Sequence, residues 1–175
     1  MKKPLEMVSR PSIIIAYQKL GEGLTCAEIG VDKGKNAFEI YHYLFPKMLY
    51  LVDPYNNFVD IDSGEIIGEA QYLMAKEKLK DCPNIEFIKD ISSNAVKRFK
   101  DNEFDFVYID ANHSFNSIWQ DINLWYPKVK TGSILAGHDY CDEHWEIQKA
   151  VNLFCQRNKL DFQSGGQDWW VFCAK

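Results

Sequence analysis

Two periodicities alternate along this chain, and each changeover marks an element. Short apolar runs at 24–29, 48–52, 85–88, 104–109 and 133–136 read as strands. The fourth is almost wholly apolar, which places it at the centre of a sheet covered on both faces. Between the runs, apolar residues recur three and four positions apart, the spacing of a helix with one inward face. Ala37, Phe38, Ile40, Tyr41 and Leu44 predict a helix over 35–45, stopped by Pro46. Ile66, Ala70, Leu73 and Met74 predict one over 66–79, and Ala95, Val96 and Phe99 a short one over 92–99. Phe115, Ile118, Trp119 and Ile122 follow a cap at Asn112 or Ser114 and run to Pro127. Ile147, Ala150, Val151, Phe154 and Cys155 mark a last helix. A short helix over 12–20 precedes the first strand. Two strands, 160–163 and 169–173, flank Gly165-Gly166 and predict an antiparallel hairpin, with Trp169 and Trp170 on opposite faces.

Strand and helix in alternation, closed by a hairpin, is an α/β fold. The expected architecture is a Rossmann-like, doubly wound, mostly parallel seven-stranded sheet with an antiparallel C-terminal hairpin strand. The 175 residues make one domain, a helical lead over 1–23 and a core over 24–175. A 46% apolar composition excludes a disordered chain, and a net charge of −5 argues against a nucleic-acid-binding surface. No apolar run reaches membrane-spanning length, and the first residues lack a signal-peptide core, so a cytoplasmic protein without membrane association is expected. Cys26, Cys82, Cys141, Cys155 and Cys173 are far apart with no paired spacing, and read as scattered thiols, Cys26 in the core.

Candidate chemistry lies at the strand ends. The stretch 24–37 reads strand, glycine loop, helix, with Gly30 and Gly34 bracketing a tight turn where backbone can approach a ligand. In a doubly wound sheet, ligands bind beyond the carboxyl ends of the strands. Glu28, Asp53, Asp90 and Asp110 end strands one to four, and His138 with Asp139 follows strand five, so every strand delivers an acid to one rim. Asp53 stands 23 residues beyond Gly30, where a carboxylate can accept two hydrogen bonds from a ribose diol. The glycine spacing GVDKG, with Asp32 inside it, is ill suited to pyrophosphate, whereas an acidic pocket suits a sulfonium and an amino group. Asp60, Asp62 and Glu65 do not match a calcium loop and read as a solvated insertion or lid. His42, His144, Trp125 and Trp145 carry no catalytic expectation. The lead helix, the 55–65 insertion and the 140–145 loop are the segments available to shape an acceptor site.

The stretch 28–34, EIGVDKG, resembles the first motif of class I S-adenosylmethionine-dependent methyltransferases. Phe106 to Phe115, with Asp121-Ile122, Trp125 and Gly137-His138-Asp139, is similar more specifically to the methyltransferase-24 group, Phe115 standing where a tyrosine is usual. The resemblance implies S-adenosyl-L-methionine as cofactor, held by Glu28, Gly30, Gly34, Asp53, Asp90, Ile91 and Asp110. Asp90 and Ile91 would take the adenine edge. The expected activity is methylation of a small-molecule or sugar hydroxyl. Three roles stay open for the cluster at strands four and five. Asp110, His138 and Asp139 could hold magnesium or manganese; His113 or His138 could be a metal-free base beside Asp110; or His113 could be structural. An NAD-dependent oxidoreductase and a non-catalytic S-adenosylmethionine-binding module are the competing classes. The acceptor is not legible, and a homo-oligomer is compatible with the sequence.

Overall fold

The structure, a computed structural model, describes residues 9–59 and 64–174. Asp60 and Asp62 lie outside the described residues. In chain order the elements are α1 (Pro11–Leu20), β1 (Thr25–Ile29), α2 (Lys35–Leu44), β2 (Met48–Val52), β3 (Phe58–Val59), β4 (Ile66–Ile67) and α3 (Glu69–Lys78). They continue with β5 (Ile85–Ile88), α4 (Ser92–Ala95), β6 (Phe104–Ile109), α5 (Phe115–Trp125), β7 (Val129–Gly137), α6 (Trp145–Asn158), β8 (Phe162–Gly165) and β9 (Asp168–Phe172). Seven strands form one sheet in the order β5-β2-β1-β6-β7-β9-β8. β5, β2, β1, β6 and β7 run parallel, and β9 pairs antiparallel with both β7 and β8. The α/β sheet with an antiparallel terminal hairpin is therefore the architecture that the sequence pattern predicts.

Alternation along the central strands divides the core into two layers. Phe106 and Tyr108 of β6 face Ile13 and Ala16 of α1, Ala37, Ile40 and Leu44 of α2, and Ala75 of α3. Val107 and Ile109 face the other way, into Ile118, Ile122 and Trp125 of α5 and Ile147, Val151 and Phe154 of α6. Each strand residue goes to one layer or the other because side chains alternate across a sheet. Trp169 and Trp170 obey the same rule, one in each layer and both buried. Cys26 is fully buried in the first layer.

The segment 66–79 departs from its expected form. Ile66 and Ile67 pair antiparallel with Phe58 and Val59 in a separate two-stranded ribbon, and the helix starts only at Glu69. Its buried face carries Ala75, followed by Leu79, whereas Leu73 and Met74 stand more than half exposed, as do Val59 and Ile66 of the ribbon. Two β-branched residues at the start of the run favour an extended backbone, and their cross-strand partners supply the pairing. β7 is longer than expected. Its register against β6 slips between Phe104 and Phe106, so that Val129 pairs at one end and Ile134 resumes the ladder.

Candidate functional site

β1 and β6 lie side by side, and the chain leaves the carboxyl end of β1 toward β2 but that of β6 toward β7, in opposite directions along the sheet. That divergence opens a crevice. A cleft of about 960 Å³ occupies it.

One wall begins in β1. Glu28 is 1% exposed, and its Oε1 accepts a hydrogen bond from Asn36 Nδ2 at 2.8 Å. Among the described residues its Oε2 and Asn36 Oδ1 are buried with no hydrogen-bond partner, and both residues line the cleft. Burial pushes the Glu28 carboxyl well above the usual range, against the opposing effect of the Asn36 bond. Gly30 follows with φ of +86°, and a Cβ there would lie 2.1 Å from the Asp110 carbonyl oxygen. Only glycine permits that approach of β1 to the end of β6. Gly34, φ +71°, does not line the cleft; its Cα faces Ala75, 3.2 Å from where its Cβ would lie, and it seats the loop on α3.

Asp53, at the end of β2, clamps this loop. Its Oδ2 accepts from the Val31 and Asp32 N–H groups at 2.9 and 3.1 Å, and its Oδ1 from the Tyr55 N–H at 3.0 Å. The Tyr55 hydroxyl donates to the Asp32 carbonyl at 2.9 Å, closing the turn from the other side. Asp53 lines the cleft, but three of its lone pairs are already spent on backbone. Asp90 turns inward on its own turn, its Oδ1 accepting from the Ile91 N–H at 2.8 Å and from Asn94. Ile91 lines the cleft and Asp90 does not.

A carboxylate without an assigned site role stands nearby. Asp121 of α5 is 5% exposed and lines the cleft. Its Oδ1 accepts from the Ser92 hydroxyl at 2.5 Å, and Ser92 Oγ accepts in turn from Trp125 Nε1 at 2.8 Å. Burial raises the Asp121 carboxyl to about 6. The signal was visible in the pattern: Asp121 sits on the inward stripe of Ile118, Ile122 and Trp125, where an acid is out of place.

The opposite wall gathers the ends of β6 and β7. The Asp110 N–H donates to the Ile29 carbonyl at 2.7 Å, and the His138 N–H to the Ile109 carbonyl at 3.1 Å. Burial lifts the Asp110 carboxyl to about 7, with Asp139 adding to the rise and Arg10 and His113 opposing it. Asp139 holds a φ of +56°, unusual for a residue with a side chain. That turn carries its carboxylate between two histidines: Oδ1 is 2.7 Å from His138 Nδ1, and Oδ2 is 3.0 Å from His113 Nε2. The His144 ring packs edge-on to His113, with centroids 4.7 Å apart. Ser114 is the cap of α5, so His113 is not needed for that purpose.

The two histidines open on different spaces. His113 and His144 line the large cleft, while His138 lines a smaller hollow of about 390 Å³ with Arg10, Lys35 and Asp168. Asp110, His138 and Asp139 do come together, but Arg10 Nη2 stands 3.5 Å from Asp110 Oδ2. No motif of the sequence marks Arg10. It lies in the lead, and Nη1 is 3.7 Å from buried Asp168, which also accepts from Ser12 and the Tyr108 hydroxyl.

Residues 27–140 match the profile of the methyltransferase-24 family, described as a methyltransferase domain. The uncharacterized protein R132 of Acanthamoeba polyphaga mimivirus is 30% identical over 118 residues, which cover 62% of this chain and 51% of that one. The chain thus spans about half the length of this relative. Among solved structures, SMU.1697c of Streptococcus mutans, in complex with SAH, superposes with a TM-score of 0.68 at 16% identity, covering 94% of this chain and 97% of that one. The O-methyltransferase NovP superposes at 0.70 with 12% identity, covering 94% and 78%. At such identities the likeness is one of fold.

Proposed function

We propose that this chain, which belongs to the methyltransferase-24 family of class I S-adenosylmethionine-dependent methyltransferases, methylates a hydroxyl group of a small acceptor. The observation that carries this reading is the pairing of two features in one cleft: buried acceptor atoms at Glu28 and Asn36 without partners among the described residues, and Asp110 with His113, the latter backed by Asp139. When bound, S-adenosylmethionine supplies an electrophilic methyl on a sulfonium, so the protein needs to align two reactants and take up one proton.

Glu28 and Asn36 suit the ammonium of the methionine moiety, which would fill the lone pairs left open there. Asp53 rigidifies the loop above them and keeps lone-pair capacity for a ribose hydroxyl. Asp121, fixed by Ser92, offers a second carboxylate toward the nucleoside end. Gly30 holds the two walls together and sets their spacing. At the acceptor end, Asp110 receives the hydroxyl proton, because burial brings its affinity for a proton close to that of a base working near neutrality. With that proton on Asp110, the acceptor oxygen would be free to take the methyl that S-adenosylmethionine would supply when bound. NovP, an O-methyltransferase of the same fold, supports a hydroxyl as the acceptor. The acidic cleft wall disfavours a pyrophosphate-bearing dinucleotide in the same place.

Calorimetric titration with S-adenosylhomocysteine, followed by isotope-labelled methyl transfer across a panel of phenols, sugars and amines, tests the reading. Saturable binding with label in a hydroxyl-bearing acceptor is the expected result. Binding without turnover on any hydroxyl, or transfer to amines alone, would overturn it.

A further inference from the structure

Histidine is scarce in this chain, four residues in all, and two of them, His113 and His144, pack edge-on to each other on one cleft wall, with the Asp139 carboxylate against His113. His113, Asp139 and His144 come from three elements: the loop after β6, the end of β7, and the short turn before α6. Each offers one ligand atom, and the three atoms lie within 4.8 Å of one another. Donors held about 2.0–2.2 Å from a shared ion stand no more than about 4.4 Å apart. The spread of the three atoms therefore exceeds that span by about 0.4 Å at most.

We propose that His113, Asp139 and His144 bind a divalent transition-metal ion at the acceptor end of the cleft. This deepens the methyltransferase reading and rests on it only for what the ion would do, namely hold the acceptor hydroxyl. Two imidazoles and one carboxylate favour zinc, cobalt, nickel or iron over magnesium, which prefers oxygen ligands. The remaining coordination positions face the cleft, because His113 and His144 line it.

Two further observations place the ion here rather than at Asp110, His138 and Asp139. Arg10 already presents a guanidinium to Asp110, at 3.5 Å, and a second cation there would meet repulsion. His138 opens on the smaller hollow, and its Nδ1 lies 2.7 Å from the other oxygen of Asp139. That is the position of an outer partner which orients a ligating carboxylate. The backbone adds to the case: Asp139 adopts its positive φ at the point where one carboxylate oxygen meets His113 and the other His138. Strained residues of this kind concentrate at functional sites.

The test uses the full chain, stripped with chelator and titrated with cobalt(II), and reads visible absorption and stoichiometry by calorimetry. One cobalt per chain is expected, with zinc displacing it and magnesium failing to do so. His144→Ala should weaken cobalt binding by about tenfold to a hundredfold or more, the range set by lost outer-shell partners as a lower bound. His138→Ala should weaken it less. Thermal unfolding and S-adenosylhomocysteine binding should persist in His144→Ala, which separates loss of metal from loss of fold. Failure of the cofactor reading would leave cobalt binding intact, so the two readings fail separately. Absence of stoichiometric cobalt binding, equal binding by wild type and His144→Ala, or dependence on His138 in place of His144 would each overturn the site.

Discussion

Gly30→Ala is the substitution whose cost the structure specifies best. Two penalties meet at this position. A φ of +86° is open to glycine and costs an alanine about 1–2 kcal/mol. The new Cβ would also lie 2.1 Å from the Asp110 carbonyl oxygen and 2.7 Å from the Ala111 Cα, both backbone atoms that cannot swing aside. Ordinary contact begins at 3.4 Å, so β1 and the end of β6 must part by more than 1 Å. That stretches the 2.7 Å bond from the Asp110 N–H to the Ile29 carbonyl. Overpacking of this kind costs a further ~1–3 kcal/mol, for a total of about 2–5 kcal/mol. Gly132→Ala provides the control, since Gly132 has a φ of +79° and nothing within 4 Å of its would-be Cβ. It should lose only the conformational part, about 1–2 kcal/mol. Urea denaturation of the two variants measures the difference, and S-adenosylhomocysteine calorimetry should show weakened binding in Gly30→Ala alone. Equal losses of stability in both would refute the argument, because the contact across the strands would then cost nothing.

Glu28→Gln keeps the oxygen that accepts from Asn36 but removes the charge offered to a cationic ligand. Loss of a charge-assisted hydrogen bond worth about 1.5–3 kcal/mol should weaken S-adenosylhomocysteine binding by roughly tenfold to a hundredfold. In the wild type, binding should release a proton from this raised carboxyl, read as a heat that varies with the buffer's ionisation enthalpy. Asp110 predicts a pH dependence with a definite sign. Its carboxyl is raised from 3.8 to about 7 by burial, facing Arg10 and His113 as well as Asp139 and Asp168, so the folded state holds the proton more tightly than the unfolded one. The contribution to stability should therefore be present at low pH, decline as pH rises from about 4 to about 7, and stay flat above. Wild type measured against Asp110→Asn by urea denaturation at pH 5 and pH 8 checks it, while methyl transfer should rise through the same window. Leu73→Gln and Met74→Gln, on the exposed face of α3, should each change stability by less than about 0.5 kcal/mol in the same assay.

Sequence reading succeeded where physics is local. Five parallel strands and the terminal hairpin follow from periodicity, and of the acids expected beyond the strand ends Glu28, Asp53 and Asp110 line the cleft while Asp90 and Asp139 do not. Among its departures, two have an identifiable reason. In 66–79, helical spacing of Ile66, Leu73 and Met74 competed with strand propensity at Ile66-Ile67, and a partner strand of only two residues carried no pattern to resolve the contest. At the acceptor end, Arg10 is brought in from the lead, far in sequence from Asp110, while His144 stands only five residues beyond Asp139 in the 140–145 loop, where no spacing rule marks its ring for the site. The hydrogen bonds from Ser12 to Asp168 span 156 residues, a separation at which periodicity is silent.

That long-range contact also bears on how the site is bounded. Asp168 is 1% exposed, yet it accepts from the Ser12 N–H and hydroxyl and from the Tyr108 hydroxyl, with Arg10 close by. A buried carboxylate with this many donors over-determines its surroundings, so α1 is fixed to the end of β9 rather than merely packed on it. Arg10, the residue immediately before α1, is thereby held between Asp168 and Asp110. The consequence is a division of labour among the three segments that border the cleft. The lead contributes a fixed cation through Arg10, the β3–β4 ribbon contributes the apolar Phe58, Val59 and Ile67, and the turn before α6 contributes His144 and exposed Trp145. Only the last combines a candidate ligand with an exposed aromatic, so acceptor selectivity is best sought there, while substitutions in the lead act first on the ionisation of Asp110.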